Sequence, residues 1–112
     1  MTGHSKADIW QTDFGGSRGH EQKKERPSII WRDLDHIGMA VVIPLTGSLE
    51  RDNLPYTLLI EPTIKNGLEK ESVVLIFQIT AIDKSRLIKK LGVLDDGDAE
   101  SVGALLKDLL RI

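Results

Sequence analysis

Residues 14–27, FGGSRGHEQKKERP, gather the side chains of this sequence best suited to proton transfer and anion binding. Arg18, His20, Glu21, Lys23, Lys24 and Arg26 fall within it, spaced by glycines and almost no apolar residue. A guanidinium such as Arg26 grips two oxygens of one phosphate and keeps its charge at any working pH. Glu21 or His20 can take up and return a proton. These types meet the needs of one metal-free reaction, the attack of an RNA 2′-hydroxyl on the adjacent phosphorus. That route requires a proton acceptor at the 2′-oxygen, donors for the charge of the phosphorane, and a proton for the leaving 5′-oxygen. Loops of Arg, Glu and His are also common on any surface, so composition leaves a plain solvated loop open.

Other chemistries fit less well. A phosphate-binding glycine loop needs Gly-Lys-Ser/Thr opening a helix, or a helix packed on the strand after its glycines. Here EQKKERP follows, polar and ended by a proline. His4, His20 and His36 are scattered, nothing resembles HExxH, and the chain has no cysteine. No metal site and no cofactor is expected, and a thiol nucleophile is excluded.

The elements that must position these residues read as mostly β. A chain of 112 residues with 40% apolar and 29% charged side chains suits one globular domain. We expect a polar, frayed tail at 1–6 and a single domain over 7–112. ADIWQTDF alternates as a strand, PSIIWR and GMAVVIPL read as two more, and YTLLIEP as a fourth. SVVLIFQITAID is the longest strand candidate, with Val73, Leu75, Phe77, Ile79 and Ala81 on a wholly apolar face. Asp83 is placed to cap a short helix, KSRLIKKL, closed by Gly92. Val102, Leu105, Leu106 and Leu109 give a C-terminal helix, with the acidic residues of DDGDAE at its positive end. Closely spaced strands with one terminal helix imply a small antiparallel barrel or curled sheet.

The net charge of -2 argues against a strongly basic nucleic-acid binder, so any polyanion must be held by a local patch. Arg18, Lys23 and Lys24 are placed to guide an RNA backbone. Five aromatic residues in all leave little for base stacking. No apolar run approaches a membrane span and the N-terminus lacks a signal-peptide core, so a cytoplasmic protein is expected.

GHEQKKERP, then VIPLT, then ESVVLIFQITAIDKSRLIKKLG, together with the opening ADIWQTDF, resemble the MazF/PemK-type toxins of toxin–antitoxin pairs. The blocks run from about Ala7 to the C-terminus in the family's order. The resemblance implies an SH3-like β-barrel with a C-terminal helix, a homodimer, and a cognate antitoxin that covers the RNA groove. It implies metal-independent endoribonuclease cleavage of single-stranded mRNA, leaving 2′,3′-cyclic phosphate and 5′-hydroxyl ends. Position by position, Arg26 matches the family's catalytic arginine and Thr46 its catalytic threonine. Glu21 matches a site glutamate, and His20 and Gln22 match loop positions that touch RNA or the leaving group.

The sequence departs from the family where an acidic-Gln-x-Arg-Thr pattern is usual. FQITA puts Phe77 in place of the acid and Thr80 in place of the arginine, and Phe77 falls with the apolar face as a core residue. Chemistry resting on Arg26, Thr46 and Glu21 survives this loss; chemistry resting on a long-strand carboxylate does not. The alternative is a catalytically impaired toxin-like binding module that inhibits a protein target such as gyrase.

Overall fold

Alternation in two neighbouring strands sets the architecture. In the computed structural model, which describes residues 4–15 and 25–112, strands β2 (Glu25–Leu34) and β3 (Met39–Thr46) pair antiparallel. Their register sets Ile29 against Ile43 and Ile30 against Val42. Successive side chains of a strand point to opposite faces, so the two pairs enter two different cores. Ile29 and Ile43 join Ile9, Leu45, Val74, Ile76 and Leu94 in the larger one. Ile30 and Val42 join Ala40, Ile82 and Leu87 in the smaller one, against which Trp10 and Phe14 pack. Each fully buried isoleucine contributes roughly 1.5–3 kcal/mol by leaving water.

The remaining strands are β1 (Asp8–Asp13), β4 (Thr57–Ile60), β5 (Ser72–Leu75), β6 (Thr80–Asp83) and β7 (Leu87–Val93). Hydrogen bonding orders them β4-β5-β3-β2-β1-β7, and β6 pairs with the first half of β3. All the pairings are antiparallel. The mainly β, barrel-like fold expected from the sequence is present, with its sheet open between β4 and β7. Helix α1 (Asp96–Leu110) covers the larger core. Val102 and Leu106, one turn apart, are buried, and Leu105 and Leu109 pack beside them. The Asp95 carboxylate accepts the Gly97 amide at 3.1 Å and caps the N-terminus.

Two expected elements take another form. The single long strand over 72–83 is two strands, broken by a 3-10 turn at Ile76–Gln78. The break turns Ile76 inward and leaves the Phe77 side of the turn outward. Phe77 is 38% exposed and is not a core residue. The short helix expected over KSRLIKKL is a 3-10 turn, Lys84–Arg86, followed by β7. Asp83 does cap that turn, accepting the Ser85 amide at 2.9 Å. Gly92 is not a helix stop. A Cβ there would strike the Lys65 carbonyl oxygen and the Asn66 backbone, so it is a close backbone crossing that only glycine permits.

Candidate active site at the end of the β2–β3 ladder

Arg26 stands in the first turn of the pleat of β2, directly opposite Thr12 of β1. That end of the sheet is held by a buried polar pair. The Thr12 hydroxyl donates to the Trp10 carbonyl at 3.0 Å, so the 2.7 Å contact with Ser28 has the Ser28 hydroxyl donating to Thr12. Both side chains are buried, and removing either partner would leave the other unsatisfied at a cost of about 1–3 kcal/mol. Asp13 and Arg86 fix the chain beyond β1. The Asp13 carboxylate accepts the Gly15 amide at 2.7 Å, and the Arg86 guanidinium donates to the Asp13 carbonyl at 3.2 Å.

Thr46 is the last residue of β3. The ladder has Ser28 opposite Pro44, so Arg26, two residues back, and Thr46, two residues on, fall at the same end of it. Thr46 is half-buried, and its hydroxyl oxygen accepts the Ser48 amide at 3.1 Å. The hydroxyl proton therefore remains available to donate.

A cavity of about 460 Å3 opens beside Thr46. Gln11 and Lys89, paired across β1 and β7, line it, as do Glu25 and Pro27 of β2. Gly47, Leu68, Glu69, Lys70 and Ser72 form further parts of its wall. Arg26 is not among the lining residues; it lies between two of them, and the alternation of β2 turns its side chain toward the other face of the strand.

Among the residues expected to do chemistry, the structure thus places Thr46 in the wall of a cavity and Arg26 at the same end of the ladder, outside the lining. Arg18, His20, Glu21, Gln22, Lys23 and Lys24 lie outside the described residues. Gln11, Lys70 and Lys89 were missed from sequence. Lys89 sat in a stretch read as helix, and only the β1–β7 register sets it beside Gln11. Among the described residues no group of three or more His, Asp or Glu is arranged to hold a metal ion, and no helix is long and apolar enough to cross a membrane.

The shortest ion pairs among the described residues lie at the far end of β2. The Lys84 ammonium is 2.7 Å from both Asp33 and Asp35. Hydrogen bonds to Asp33 and then Asp35 raise the lysine's pKa, and the Lys84 hydrogen bond and charge lower that of Asp35. This clamp ties the turn after β2 to the turn after β6.

The family model for the PemK-like, MazF-like toxin of type II toxin–antitoxin systems matches residues 5–110. The chain belongs to this toxin family. It is 31% identical over 100 residues to the endoribonuclease MazF of Staphylococcus saprophyticus, covering 87% of this chain and 82% of that protein. The structure of the MazE–MazF complex from Deinococcus radiodurans superposes with a TM-score of 0.79 at 21% identity, covering 97% of each chain. The Mycobacterium tuberculosis toxin MazF-mt6 gives 0.74 at 18% identity, covering 94% of this chain and 97% of that one. At such identities these two structures speak for the fold alone.

Proposed function

We propose that this toxin is an endoribonuclease that cuts single-stranded mRNA by internal transesterification, without a metal. The 2′-oxygen of the nucleotide before the cut attacks phosphorus, the bond to the 5′-oxygen breaks, and 2′,3′-cyclic phosphate and 5′-hydroxyl ends result. Arg26 stabilises the added negative charge of the phosphorane, and the Thr46 hydroxyl donates to a phosphate oxygen. Glu21 or His20 takes the 2′-proton and returns one to the leaving oxygen. His20 and Gln22 contact RNA, and Arg18, Lys23 and Lys24 attract its backbone in a salt-dependent way.

The observation that carries this reading is the free hydroxyl proton of Thr46 at the wall of a cavity, at the ladder end that also bears Arg26. A cognate antitoxin is the expected protein partner, by analogy with the MazE–MazF complex. The expected assembly is a homodimer acting in the cytoplasm.

The test is incubation of purified protein with a diverse single-stranded RNA pool in EDTA, followed by mapping of the product ends. Cyclic-phosphate and 5′-hydroxyl ends support the mechanism. A requirement for Mg2+ overturns it. Intact RNA, combined with growth inhibition that survives Arg26→Ala, would establish instead a binding module directed at a protein such as gyrase.

A further inference from the structure

The residue after Thr46 is Gly47, and its missing side chain has a use. A Cβ built at Gly47 would lie 2.5 Å from Lys70 Cε and 2.8 Å from Lys70 Nζ. The far end of this exposed lysine therefore lies over the place where any other side chain would begin, with its ammonium against the residue next to Thr46. Gly47 has no positive φ, so the absent Cβ, not a special turn, is what this position supplies.

The base of this lysine is well defined. The Ser72 hydroxyl donates to the Lys70 carbonyl at 3.1 Å, Ser72 is buried, and the next residue, Val73, pairs with Thr46 in the β3–β5 ladder. Lys70 and Ser72 both line the cavity. Among the described residues, no carboxylate is ion-paired with Lys70; the pairs found involve Lys84 and Lys90. An ammonium laid over the glycine next to Thr46, with no ion-paired carboxylate among the described residues, is placed to take an anion. Glu69 on the same wall repels phosphates and so restricts where one can settle.

We propose that Lys70 is a substrate-binding residue, whose ammonium takes an oxygen of the RNA phosphate held at Thr46. Arg26 does not line the cavity, whereas Lys70 lines it with Thr46 and lies over the next residue, Gly47. Gly47 is the positioning residue that lets it lie there. This inference rests on the endoribonuclease reading.

The experiment uses an RNA that the wild-type protein cuts, resynthesised with a 2′-deoxy sugar at the cut so that it binds without reacting. Its affinity is measured against salt for the wild type, Lys70→Ala, Lys70→Arg, Gly47→Ala and the Gly47→Ala/Lys70→Ala double variant, each checked for an unchanged melting temperature. Lys70→Ala should weaken binding about tenfold and reduce the log–log salt slope by about 0.7, the loss of one phosphate contact on a single strand. Lys70→Arg should recover the slope. Gly47→Ala should weaken binding when Lys70 is present and do nothing further when it is absent. Unchanged affinity and slope in Lys70→Ala, or an equal Gly47→Ala effect in both backgrounds, would overturn the assignment. A wild type that cuts no RNA would instead defeat the endoribonuclease reading, and this inference with it.

Discussion

Two depressions on this molecule differ in what their walls can do. The cavity at Thr46 collects a free hydroxyl proton, two lysines, a glutamine and two glutamates. The smaller one, about 200 Å3, is lined by Leu54, Pro55, Tyr56 and Phe77. Its one polar group is already engaged. A hydrogen bond to the Asp108 carboxylate, reinforced by that charge, raises the pKa of the Tyr56 hydroxyl. Phe77, set by the sequence in the place of an acid in the resembled family's pattern, belongs here to the apolar depression. Lysines line the first depression and no charged side chain lines the second. Reactivity in this toxin is expected at the first and not at the second.

The largest expected effect is Arg26→Ala, which should lower the cleavage rate about a thousandfold with the fold intact, measured on a labelled RNA and by circular dichroism. Thr46→Val keeps the volume and removes the donor. It should cost about a hundredfold in rate, with little change in RNA affinity.

The far end of β2 provides a control with no role in chemistry. Asp35 has its pKa lowered below the ordinary 3.8, so its stabilising effect is present above that value and is lost as pH falls through the folded-state pKa. Lys84 has its pKa raised above 10.5, so its contribution holds below that value and fades as pH rises through the folded-state pKa. Lys84→Met should therefore lower the melting temperature across the neutral plateau. That difference should shrink in strong acid and strong base, while the rate of the folded variant stays unchanged. The smallest effect is expected from Phe77→Ala, with cleavage within about twofold of wild type, because a half-exposed apolar side chain outside the cavity touches none of the reacting groups.

The contrast between the two depressions was only half legible in the sequence. The first four strands and helix α1 follow from local patterns, alternation and the spacing of Val102, Leu105, Leu106 and Leu109, whereas Thr46 is singled out only by the family resemblance and Arg26 by loop chemistry together with it. The break at Ile76–Gln78 does not, because an apolar run looks the same whether a strand continues or a 3-10 turn interrupts it. That ambiguity placed Phe77 in the core. KSRLIKKLG carries a helical spacing with a glycine at its end, yet pairing with β1 decided its form and Gly92 serves a backbone crossing. Tertiary pairing overrode local propensity there. With β7 misread, Lys89 could not be set beside Gln11, and Lys70 in its turn had no visible relation to Gly47.

The most direct test is a side-by-side assay of wild type, Arg26→Ala and Phe77→Ala on one RNA in EDTA, with the product ends identified. The account predicts cyclic-phosphate ends from the wild type and from Phe77→Ala at similar rates, and almost none from Arg26→Ala. Loss of cleavage in Phe77→Ala with activity kept in Arg26→Ala would contradict it.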